Sequence, residues 1–143
     1  MPPFPTAIIW PMFAQVVLIA TVWVCLYAAR LGEMRARGID PQSLKTTRDA
    51  AGVLEDVAAA DNFRNLFEVP VLFFVVGCLL AMTDRVTNLQ LILAWAFVGL
   101  RALHSFIHVT YNRVVHRFAV YALSTLCVFA MWLLLARDLW RSG

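Results

Sequence analysis

Residues 89–111 read LQLILAWAFVGLRALHSFIHVTY, an apolar run that carries three ionisable side chains, Arg101, His104 and His108. About 20 consecutive, mostly apolar residues are enough to cross a bilayer as a helix. Ionisable residues inside such a run are costly, and they face the interior of a bundle rather than lipid. The stretch therefore predicts a membrane helix with a polar stripe, and it demands partner helices to receive that stripe.

Three further runs supply the partners. Residues 7–29 hold no charge, and Pro11 falls in the first turns, where a helix tolerates it best. Residues 67–82 are apolar apart from Glu68 and Pro70, and residues 118–136 hold no charge. The links before and after residues 89–111 are short, so neighbouring helices must run antiparallel. The expected architecture is an all-α, up-down four-helix membrane bundle forming one domain over residues 1–143. Its spans are expected at about 7–29, 62–82, 89–111 and 118–136. The polar link over about 30–61 contains a turn at residues 38–41, and helix two is expected to start near Ala50 in water and run on into the membrane.

Composition agrees. Of 143 residues, 62% are apolar and only 15% are charged, against about 25% charged in an average soluble domain. Mean hydropathy is +0.74. A soluble chain this small could not hide so much apolar surface. Cys25, Cys78 and Cys127 lie inside apolar runs without C-x-x-C spacing, which argues against a disulfide framework. Residues 1–6 lack the basic start of a signal peptide, so the first span is expected to be retained. The formal charge of +3 comes from Arg flanking the apolar runs, which excludes a nucleic-acid partner.

Orientation follows from where those cations fall. The first and third links hold Arg30, Arg35, Arg37, Lys45, Arg48, Arg64, Arg113 and Arg117, and the other side holds Arg85, Arg137 and Arg141. The richer side is expected to be cytoplasmic, with both termini outside, in a bacterial inner membrane.

Depth along the helices groups the polar residues. At a rise of about 1.5 Å per residue, Glu68, Arg101 and His104 lie roughly 18–22 Å from the outer ends of their helices. Arg64, His108 and Arg117 lie near 27–29 Å on the same rise, with Asn65 beside them. Arg101, His104, His108 and Tyr111 recur at i, i+3, i+7 and i+10, one helical stripe. Two readings stay open for the deep layer: a buried Glu68–Arg101 ion pair tying helices together, and a working site. The shallow layer, with Arg113 nearby, is richer in cationic donors than packing needs. It suits a small anionic ligand with carboxylates, and a cation there would favour a bound thiolate.

These residues give the sequence a resemblance to the MAPEG family, the membrane-associated proteins of eicosanoid and glutathione metabolism. The resemblance lies in Arg64-Asn65-x-x-Glu68 with Pro70 close behind, Arg101-x-x-His104, and Arg117 with Tyr121 at the start of helix four. It implies a homotrimer that binds glutathione between subunits near the cytoplasmic face. Arg64, Asn65 and Glu68 would then hold the tripeptide, with His104 and Tyr121 secondary. Arg117 would stabilise the thiolate that attacks a lipophilic electrophile or reduces a hydroperoxide, and Arg101 would be structural. His108 and Arg113 complete the candidate binding set. Two positions depart from the family pattern: Asp61 stands where many members have Arg, and His108 where Tyr is common.

The resemblance thus implies a glutathione-dependent transferase or peroxidase with lipid and a lipophilic substrate as partners. A non-catalytic lipid-binding or scaffold protein of the same fold is the alternative. A metal site built from His104, His108 and Glu68 is a third reading, since two imidazoles at i and i+4 can share an ion.

Overall fold

The computed structural model describes residues 4–54 and 58–141. Among them it holds only helices and connecting turns: α1 (Phe4–Ala7), α2 (Ile9–Arg37), a 3-10 turn (Pro41–Leu44), α3 (Thr47–Val53), α4 (Ala58–Asn65), α5 (Val69–Met82), α6 (Asn88–Val109) and α7 (Val114–Trp140). Four stretches are long and apolar enough to span a membrane: Ile9–Arg37, Ala60–Met82, Asn88–Val109 and Val114–Trp140.

The helix ends depart from the apolar runs. α2 continues past Ala29 to Arg37, because Arg, Leu, Glu, Met and Ala all favour helix in water. It stops at Gly38, whose φ of 63° is the left-handed C-cap conformation that glycine adopts without strain. Arg37 bonds back to Glu33 one turn earlier and donates to the Val53 carbonyl at 3.0 Å, tying the end of α2 to α3.

The second span does not begin as one helix near Ala50. Thr46 and Asp49 form a capping box that starts α3, and α3 ends at Leu54 in an extended conformation. Val57 lies outside the described residues. The chain is helical again from Ala58, then breaks at residues 66–68. Pro70 accounts for that break: it lacks an N–H and its ring would clash with the Leu66 carbonyl if the helix ran on, whereas in the first turn of α5 both are tolerated. Leu66 and Phe67 instead close i→i−3 bonds to Phe63 and Arg64, at 3.1 and 2.9 Å.

The core lies where α5, α6 and α7 meet. Phe73 and Phe97 stack with ring centroids 4.4 Å apart, among Val76, Leu80, Ala94, Val128, Met131 and Leu135. Gly77 admits Met12 so closely that a Cβ there would sit 2.7 Å from its sulfur. At the end of the bundle holding the α5–α6 link, Arg85 donates to the Asp138 carbonyl near the end of α7, at 2.8 Å. The α6–α7 turn therefore lies at the opposite end, with the last turn of α4 beside it. That end holds the polar cluster.

Candidate functional site

Arg117 sits in the first turn of α7, opposite the last turns of α6. The tight link between these helices passes through Asn112 at φ 46°, a left-handed conformation that asparagine tolerates better than most residues. The turn folds Arg117 back over α6. Its Nη1 donates to Asn112 Oδ1 at 2.6 Å and to His108 Nε2 at 3.2 Å. A guanidinium only donates, so His108 accepts on Nε2 and carries its proton on Nδ1. The Arg117 backbone carbonyl accepts from His104 Nδ1 at 3.1 Å, which fixes that ring's tautomer as well. His104 and His108 are each only 2% exposed, with ring centroids 5.7 Å apart.

Arg101 is completely buried, yet it forms no ion pair with Glu68. Its Nη2 donates at 2.5 Å to the backbone carbonyl of Asn65, the last residue of α4. Its Nε and Nη1 have no hydrogen-bond partner among the described residues. The guanidinium lies 5.3 Å from the centre of the Tyr121 ring, and the Tyr121 hydroxyl donates to Glu68 Oε2 at 3.3 Å. Tyr121 thus stands between the two charges that the sequence suggested as a direct pair. The helix break explains the difference: Glu68 lies at the break with φ −90° and ψ −92°, so its side chain follows no helical stripe.

The two layers expected from a uniform rise also merge. Asn65, placed in the shallow layer, bonds Arg101 of the deep one, and His104 of the deep layer bonds Arg117 of the shallow one. Tyr111 leaves the stripe altogether. It lies beyond the end of α6, is 52% exposed, and pairs with His116.

Asn65, His104, Arg117, Tyr121, Val114 and Phe118 line an open cleft with a cavity volume of about 170 Å³. Four of the sequence candidates therefore converge on one cleft, with Glu68 joined through Tyr121 and His108 through Arg117. Arg64 and Arg113 do not line it. Both are exposed, with no side-chain bond among the described residues. Asn112 is the residue that sequence reading missed; an asparagine between two closely spaced helices was the available signal.

Chemically, the cleft offers a cation at its mouth, a phenol and a carboxamide on its walls, and an apolar rim at Val114 and Phe118. The Arg117 groups other than Nη1 make no hydrogen bond among the described residues, so they are open to an anion. A metal is poorly served. Among the described residues no three His, Cys, Asp or Glu side chains stand close enough to hold one, and His108 Nε2 already faces a guanidinium.

Four apolar helices with a buried cationic cluster at one end define an integral membrane protein of the four-helix class. The sequence profile of the MAPEG family matches residues 8–137, nearly the whole chain, and the chain belongs to that family. No curated protein and no solved structure matches it.

Proposed function

We propose that the protein is a glutathione-dependent transferase or peroxidase acting on lipophilic electrophiles or hydroperoxides. The observation that carries this reading is the held guanidinium. Arg117 is fixed by Asn112 and His108 at a cleft with an apolar rim, and its other N–H groups make no hydrogen bond among the described residues. A fixed cation beside a thiol lowers the cost of the thiolate, which is the nucleophile. In the transferase reaction the glutathione S–H gives up its proton to water, the thiolate attacks carbon, a C–S bond forms and the leaving group departs. With a hydroperoxide the thiolate takes the terminal oxygen and an alcohol leaves. A second glutathione then closes the disulfide and releases water.

Asn65 and Glu68 serve the tripeptide, with Tyr121 orienting Glu68 through its hydroxyl. His104 holds the Arg117 backbone, and Arg64 and Arg113 add exposed cations for the carboxylates. Glu68 supports a homotrimer. It lies within the second span yet is exposed on the single chain, and a charge at that depth is costly unless a neighbouring copy covers it. The cationic end faces the cytoplasm by the distribution of Arg and Lys.

The test is turnover by purified protein with glutathione and a chlorinated aromatic or a lipid hydroperoxide. Thiol-dependent product formation is expected. Intact oligomers that bind no glutathione at millimolar concentration would defeat the reading. They would favour the non-catalytic lipid-binding alternative, which draws support from the exposed Asp61 carboxylate one turn before Asn65.

A further inference from the structure

A second cavity lies on a different face of α6. Ala102, Ser105, Phe106 and Val109 turn toward α2 rather than toward Arg117. With Leu18 and Val22 of α2 they wall an open groove with a cavity volume of about 170 Å³. Among the described residues no carboxylate, guanidinium, ammonium or imidazole lines it.

Two polar side chains in this groove are anomalous. Asn62 of α4 is completely buried, and neither its amide nitrogen nor its carbonyl oxygen has a partner among the described residues. Ser105 is 5% exposed, and its hydroxyl is also unpartnered. A helical serine can satisfy itself on the carbonyl one turn back, and this one does not. Buried polar groups in folded proteins are nearly always paired. Both residues line the groove with these atoms just beneath its surface, so a ligand's polar atom that presses in there finds a donor in Asn62 Nδ2, an acceptor in Asn62 Oδ1, or a Ser105 hydroxyl that can do either.

We propose that this groove binds an uncharged amphiphile taken from the membrane, a hydrocarbon body carrying a single hydroxyl group. The hydroxyl donates to Asn62 Oδ1 and accepts from Asn62 Nδ2 or Ser105 Oγ. The hydrocarbon lies against Leu18, Val22, Phe106 and Val109. A charged headgroup is disfavoured because nothing in the groove neutralises it. The site goes beyond the thiol chemistry of the Arg117 cleft and does not depend on it.

The test is photocrosslinking of the full chain in phosphatidylcholine vesicles. The probe is a hexadecanol with a mid-chain diazirine, compared with the hexadecane and hexadecanoate carrying the same diazirine. The alcohol is expected to label residues 18–25 and 102–109 at least fivefold more than the alkane or the carboxylate does, with labelling of Leu126, Phe129 and Leu133 on the outer face of α7 as the internal reference. Asn62→Leu is expected to cut that labelling at least fivefold. Ala102→Phe, which fills the groove and spares the polar pair, should do the same. Equal labelling by alkane and alcohol would overturn the proposal, and so would stronger labelling by the carboxylate. Unchanged alcohol labelling in Ala102→Phe would also overturn it. The comparison among probes on the unmutated chain stands even if a variant fails to fold.

Discussion

In the first half of α6, Ala94, Phe97 and Val98 pack among Phe73, Val76, Leu80, Val128 and Met131. The second half buries Arg101, His104, Ser105 and His108 instead. Both halves contact the same neighbouring spans, but they hold them differently. Lipid is as apolar as leucine, so the first half gains from close packing and dispersion rather than from escaping water. The second half works mainly through directed bonds to backbone carbonyls, Arg101 to Asn65 of α4 and His104 to Arg117 of α7, a device the first half uses at Gln90, whose Nε2 donates to the Met131 carbonyl at 3.2 Å. Packing holds the helices together, and the directed bonds set the positions of Asn65 and Arg117 against each other.

The sharpest way to separate the halves is to remove a function from one and volume from the other. Arg117→Ala should reduce kcat/KM for the glutathione reaction by 100-fold or more, about 3 kcal/mol of transition-state stabilisation, with the melting temperature and oligomer size unchanged. A thermal melt and an activity assay on the same preparation check this. Phe97→Ala should cost about 2 kcal/mol of stability. That is below the usual value for a buried phenylalanine, because the space it leaves matters while transfer into an apolar solvent does not. Unfolding in mixed micelles reads the loss, and the activity of the protein that stays folded should be preserved.

Arg101→Met probes the polar half from the other side. Removing a fully buried guanidinium with two unpartnered nitrogens should leave stability equal or higher, since a buried charge is costly to desolvate. The Asn65 carbonyl loses its donor, so glutathione affinity should fall about tenfold, or about 1.4 kcal/mol, by calorimetry. A large loss of stability would show that Arg101 is mainly a structural tie. The smallest effect is expected at Asn112. Asn112→Gly keeps the left-handed turn but removes the acceptor for Arg117, and should lower kcat severalfold with stability nearly unchanged. Asn112→Ala should lose about 1 kcal/mol of stability as well, because alanine is strained at φ 46°.

The four apolar runs were legible because lipid imposes a length and a hydropathy that local sequence must meet. Their ends were less so. The helix of α2 runs eight residues past Ala29 and α7 starts four residues before Phe118, because a helix need not stop where its apolar run stops. The convergence of Asn65, His104, Arg117 and Tyr121 was anticipated in its members but not in its wiring. Hydropathy does not register the break that Pro70 forces at residues 66–68, and that break puts Tyr121 between Glu68 and Arg101. Asn62 and Ser105 left no signal of their own: Asn62 stands among Asp61, Arg64 and Asn65 and Ser105 beside His104, and only the packing of α2 and α4 against α6 shows both to be buried, with no partner among the described residues.

Ultraviolet difference absorbance of glutathione on binding reports most directly whether the Arg117 guanidinium stabilises a thiolate. With the unmutated protein at neutral pH, a thiolate band should appear in proportion to occupied sites. Arg117→Ala, checked for bound glutathione by calorimetry, should show binding without the band. Glutathione bound to the unmutated protein with no thiolate band, or an equal band in Arg117→Ala, would contradict the role assigned to Arg117.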